Sequence, residues 1–119
     1  ILKAANVKGE NLNIDGKVKV LGNVNCDNLQ LNISYGCLIS SIEGSKVTVN
    51  LQGKKRCYLK VNSISADEID IKNVICETVS GDKVKIGKGC KVNHVNYITQ
   101  IEIDEDAEVK SSEKISRGD

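Results

Sequence analysis

Few side chains in this sequence could do chemistry, and their spacing narrows what that chemistry could be. The candidates are one histidine, His94, five cysteines (Cys26, Cys37, Cys57, Cys76 and Cys90), an acidic run Asp104-Glu105-Asp106 flanked by Glu102 and Glu108, and a basic run Lys54-Lys55-Arg56. Imidazole is the usual general base near neutral pH, and imidazole with thiolate is the usual zinc ligand set. The cysteines, however, are separated by 11, 20, 19 and 14 positions and never form Cys-x-x-Cys. With a single histidine a zinc site lacks its local ligand pair, so the thiols read as small buried hydrophobes in a reducing cytoplasm. Asp82 precedes a pair of strand-like residues but no phosphate loop, dinucleotide glycine pattern or calcium loop surrounds it. Three cations without interleaved aromatics read as a solvated loop, not as a nucleic-acid or lipid site. No catalytic residue, metal ligand or cofactor is therefore expected.

The elements that would position these groups follow from composition. The chain has 119 residues, 17 basic and 16 acidic, for a net charge of +1, which gives one domain and no electrostatic drive toward nucleic acid. Its apolar set is 14 Ile, 13 Val and 8 Leu, with three Tyr and no Phe, Trp or Met. A core of β-branched aliphatics favours strands and a narrow interior. Twelve Asn and ten Gly supply turn residues, and there is no Pro. No apolar run reaches the ~20 residues of a membrane-spanning helix. The first residue is Ile1, and membrane contact would have to run through segments outside this sequence.

Six dipeptide-spaced apolar pairs recur: Leu12/Ile14, Leu29/Leu31, Val47/Val49, Ile69/Ile71, Val84/Ile86 and Ile101/Ile103, with first members 17, 18, 22, 15 and 17 residues apart. A period of about 18 is too short for helical repeats of ~33 residues and for leucine-rich repeats of ~20–29, but suits a coil of three short strands. Val18/Val20, Cys90/Val92 and Ala107/Val109 follow their pairs by six and eight positions, and Val24, Ile42, Ile64, Val79 and Val95 give a third apolar position. Cys37/Ile39 and Val74/Ile75/Cys76 fit this register loosely. The clearest coil is Val84 to Val95, with its turn at Gly87-Lys88-Gly89. The surplus in the 22-residue interval holds Gln52 to Cys57, expected as a protruding loop. The prediction is an all-β, single-domain parallel β-helix (solenoid) of about six coils, with roughly 17–18 residues per coil, over residues 1–110, followed by a flexible C-terminal tail at 111–119.

A solenoid has two ends, each with unpaired backbone groups and open apolar layers. Soluble solenoids usually cap these ends, yet neither Ile1 to Val7 nor Ser111 to Asp119 reads as an amphipathic helix. End-to-end assembly with another copy is the functional expectation. Its contacts are placed on Leu12, Ile14, Val18 and Val20 at one end and on Ile101, Ile103, Ala107 and Val109 at the other. The five acids near the C-terminus read as a solvated edge that biases which ends meet, since residues 1–20 hold Lys3, Lys8, Lys17 and Lys19 against Glu10 and Asp15.

Two resemblances bear on this. Asp15 to Leu31 is similar to the glycine-valine coils of bactofilins, the polymer-forming bacterial cytoskeletal proteins, and Ile64 to Ile71 with Val79 to Tyr97 looks like the C-terminal part of their Gram-positive relatives. This resemblance implies a right-handed β-helix that polymerises through its ends without a nucleotide and scaffolds envelope-associated client proteins. It also implies a role in cell shape at the inner face of the cell membrane. The chain departs from that family in having no phenylalanine near its C-terminal end. Ile86 to Val92 also resembles the hexapeptide repeat of left-handed β-helix acyltransferases, with His94 as general base, but the six-residue spacing is not sustained from coil to coil.

Overall fold

The computed structural model describes residues 2–4, 6–16, 18–33, 36–51 and 58–115, with side chains placed for 6–15, 19, 22–33, 36–50 and 58–115. Eight strands form one sheet: β1 (Leu2–Ala4), β2 (Val7–Gly16), β3 (Val18–Ile33), β4 (Cys37–Leu51), β5 (Leu59–Ile71), β6 (Val74–Ile86), β7 (Lys91–Ile103) and β8 (Glu108–Lys114). Their order is β1-β3-β4-β5-β6-β7-β8, with β2 beside β1 on β3, and every pairing is parallel. Each long strand bends around most of a turn, so the sheet closes on itself as the expected solenoid.

The burial pattern shows how. In β5 it runs buried-exposed-buried, two exposed, buried-exposed-buried, two exposed, then buried-intermediate-buried. Alternation places every second side chain in the lumen, and each pair of consecutive outward residues, such as Asn62-Ser63 and Asp67-Glu68, turns the chain through a corner without leaving the ladder. β6 repeats this pattern closely. Each coil thus has three short faces, five residues apart, within what is one continuous strand.

The six apolar pairs stack into two unbroken columns, Leu12-Leu29-Val47-Ile69-Val84-Ile101 and Ile14-Leu31-Val49-Ile71-Ile86-Ile103. A third column, Val7-Val24-Ile42-Ile64-Val79-Val95, fills the opposing face. The coils that fit loosely in sequence are in register here. Cys37, Ile39, Val74 and Cys76 are all buried, Ile75 lies outward between the last two, and Leu59 and Val61, not assigned from sequence, occupy the intervening rung. Gln52 to Cys57, which carry the expected loop and Lys54-Lys55-Arg56, lie outside the described residues.

Two corners need special backbones. Asn73 (φ 56°) and Gly89 (φ 78°) stack in consecutive turns, joined by Asn73 N–H donating to Lys88 O at 3.0 Å. Gly89 is favoured there by its conformation, since its φ lies in the left-handed region that side chains rarely adopt; a Cβ would also displace the Asn73 amide, 2.6 Å away at Oδ1. The other tight site is the column Gly9-Cys26-Gly44-Ala66-Gly81-Tyr97, where a Cβ on Gly44 would approach Cys26 O to 2.1 Å. Gly44 and Gly81 let consecutive coils close there, whereas Gly9 has open space. Outward polar residues also ladder: Asn28 Nδ2 donates to Asn11 Oδ1 (2.8 Å) and Asn32 Nδ2 to Asp15 Oδ1 (2.7 Å), each one rung back.

Candidate functional site

The ends of the solenoid are where the fold leaves bonding capacity unused. At the C-terminal end no described strand pairs beyond β8 or beyond the Ile101–Ile103 part of β7. The last rung carries Ile101, Ile103, Ala107 and Val109, all four of the side chains assigned to this end from sequence; Ile101, Ala107 and Val109 pack by their inner sides on the core. Ile103 is 44% exposed. On the remaining face the apolar columns end in polar residues, Ser112 over Val95 and Lys114 over Tyr97. The open end therefore has two apolar faces and one polar face.

At the N-terminal end the structure shifts the expected surface. Leu12 and Ile14 are half-buried on the outermost rung, but Val18 and Val20 stand one rung in, because β1 pairs Leu2 with Val18 and Ala4 with Val20. The backbone edge is formed instead by β1 and β2, and β2 brings Val7, Leu12 and Ile14 to it as half-buried side chains. The sequence did hold the signal, since Leu2/Ala4 precede Val18/Val20 by 16 positions, within the spread of the other intervals. At the other limit β8 continues through Lys114, past the expected domain boundary at residue 110, so Ser111 to Lys114 are ladder and not tail. Residues 116–119 lie outside the described residues.

The acids near this end build a turn. Ala107 N–H donates to Asp104 O (3.0 Å) and Asp106 N–H to Asp104 Oδ1 (2.9 Å), while Gly89 N–H donates to Asp106 O (3.2 Å). The turn is thereby seated on the Gly87–Gly89 turn below, with Glu102, Asp104, Glu105, Asp106 and Glu108 all exposed.

His94 lies on the outer flank of β7, with its side chain 35% exposed. Its Nδ1 is 2.7 Å from Ser111 Oγ and its Nε2 is 2.8 Å from Asn96 Oδ1, with Glu113 Oε2 at 3.8 Å. A hydroxyl beside an imidazole is the geometry of an activated nucleophile. Here, though, the same hydroxyl is engaged by Asn93 O at 3.1 Å, and both ring nitrogens have partners within the chain. The row ties the last strand to its neighbour.

Cys26, Cys37, Cys76 and Cys90 are buried; Cys57 lies outside the described residues. Burial pushes the Cys76 thiol up to about 12 and raises those of Cys26 and Cys90, which makes them poor nucleophiles. Among the described residues no three His, Cys, Asp or Glu side chains converge as a metal ligand set, and no helix is long and apolar enough to cross a membrane. No protein-family model, curated protein or solved structure matches the chain.

Proposed function

We propose that this chain is a non-enzymatic scaffold that assembles end to end with other copies of itself, a bactofilin-like cytoskeletal element that organises the bacterial envelope or cell shape through client proteins bound along its length. The observation that carries the reading is the last rung: a parallel sheet that ends on Ile101, Ile103, Ala107 and Val109 with no strand or helix covering them among the described residues. A further coil stacked there would extend the two aliphatic columns and pair a row of backbone groups at the ~4.8 Å rung spacing. Half-buried apolar residues at the opposite edge (Val7, Leu12 and Ile14) offer a second stacking surface. A polymer built this way needs neither nucleotide nor metal, because each contact repeats the packing already made inside the chain.

Negative-stain electron microscopy and sedimentation of the purified chain test the reading. Wild type should form filaments or long oligomers, and Ile103→Lys, which places a charge in the stacking surface, should shorten or abolish them while leaving the β-sheet circular dichroism intact. Wild type that remains monomeric at high concentration, with any native flanking sequence restored, overturns it.

A further inference from the structure

The face of each coil that begins at Asn11 in the first carries two outward rows in register along the solenoid. One is Asn11-Asn28-Lys46-Glu68-Lys83-Gln100 and the other Asn13-Gln30-Thr48-Asp70-Lys85-Glu102. A shallow groove of about 250 Å³ runs between them. The first two coils contribute only amides. From the third coil onward the charges fall in bands: Lys46 in the third, Glu68 and Asp70 in the fourth, Lys83 and Lys85 in the fifth, Glu102 in the sixth. Their formal charges cancel. Alternation along the ladder favours stacking of neighbouring coils within the chain, yet none of these charges reaches an ion pair within 4.0 Å among the described residues, and Asp70 Oδ1 has no hydrogen-bond partner.

The order of the bands makes the face complementary to itself in one orientation. A two-fold axis along the strand direction, between the fourth and fifth coils, sets Glu68 against Lys83 and Asp70 against Lys85 of a second copy, twice each by symmetry. It also sets the third coil's Lys46 and Thr48 against the sixth coil's Gln100 and Glu102. A parallel in-register arrangement sets like bands against like. We propose that this face binds the same face of a second copy of the chain, antiparallel, in a closed isologous contact held by these charge bands. The contact is lateral and does not depend on the solenoid ends.

Its size sets its strength. Five residues at ~3.3 Å by four rungs at ~4.8 Å give on the order of 300 Å² per copy, against about 800 Å² per partner in stable complexes. The pair is therefore weak between single chains and salt-sensitive. At the rim the same axis would set exposed Asp67 of one copy against half-buried Asp82 of the other, which further limits affinity.

Sedimentation equilibrium in an Ile103→Lys background, which separates this contact from end-to-end assembly, tests the proposal. The chain should dimerise reversibly at low salt, with the association constant reduced by about tenfold or more in 0.5 M NaCl. Lys83→Glu/Lys85→Glu makes the fourth and fifth bands both negative, and Glu68→Lys/Asp70→Lys makes both positive. Each variant alone should be monomeric, and an equimolar mixture should regain the dimer. If either double variant loses its β-sheet circular dichroism, the single variants Lys85→Glu and Asp70→Lys are mixed instead. Carbodiimide cross-linking of mixed ¹⁴N and ¹⁵N chains should join Glu68 of one copy to Lys83 of the other. No dimer at low salt, dimers that survive the charge reversal, or a mixture that stays monomeric would each overturn it.

Discussion

Ile103 lies in register over Ile86, one rung further along the same column, and the two differ in what covers them: Ile86 is 0% exposed and Ile103 44%. The chemistry of the two positions is identical, so the difference marks where the solenoid stops supplying its own next layer. Ile86→Ala should therefore cost about 2–5 kcal/mol, the range for truncating a fully buried aliphatic, read as a lower urea midpoint. Ile103→Ala should cost under about 1 kcal/mol and instead weaken assembly. Equal stability losses at the two positions would mean that the last rung is covered by something within the chain.

Gly9 and Gly44 occupy the same column two rungs apart and predict opposite responses to alanine. A Cβ on Gly44 meets the backbone oxygen of Cys26 at 2.1 Å, whereas one on Gly9 finds no atom within 4 Å. Gly44→Ala must push two coils apart and should destabilise by about 1–3 kcal/mol. Gly9→Ala should be neutral or stabilise by up to about 1 kcal/mol through loss of unfolded-state entropy. Chemical denaturation of the pair checks both.

The buried thiols give stability a dependence on alkaline pH. Burial raises Cys76 from an ordinary value of 9.0 to about 12. Below pH 9 the thiol is protonated in both states and its contribution is complete. Between pH 9 and about 12 the unfolded chain loses the proton while the folded chain keeps it, so stability falls as pH rises. By pH 10.5 the loss from this group is about 2 kcal/mol. The fall in urea midpoint should be shallower in Cys76→Val than in wild type, and a thiol-specific dye should label Cys76 only as fast as the chain unfolds.

His94 predicts a local effect. Its contacts to Ser111 and Glu113 join β7 to β8. His94→Ala should speed amide hydrogen exchange of residues 108–114 by about fivefold, equivalent to one lost hydrogen bond of about 1 kcal/mol, while exchange in β4 and β5 stays unchanged. A matching acceleration throughout would place His94 in the global fold instead.

Much of this architecture was legible in the residues. The two-residue spacing within each apolar pair and the interval near 18 between pairs predict two columns that the register reproduces pair for pair, including the jump of 22 between Val47 and Ile69. The third column was legible for the same reason. Alternation is a property of the backbone pleat, and a stacked coil has nowhere but the lumen to place its aliphatic side chains. Less visible were the rung at Leu59 and Val61, next to the irregular interval, and β1, whose pair Leu2/Ala4 lacks a second large residue.

The sequence by itself determined the repeat: which residues face inward, how many coils there are, and that the core is aliphatic, since these follow from local periodicity and side-chain volume. Only the tertiary structure decided which residues are terminal. Whether Val18 or Leu2 forms the edge and whether Ser111 to Lys114 are tail or strand both depend on how many residues each corner consumes. That number is set by contacts between coils, at Asn73 and Gly89 and at Cys26 and Gly44, and not by the chain within one coil.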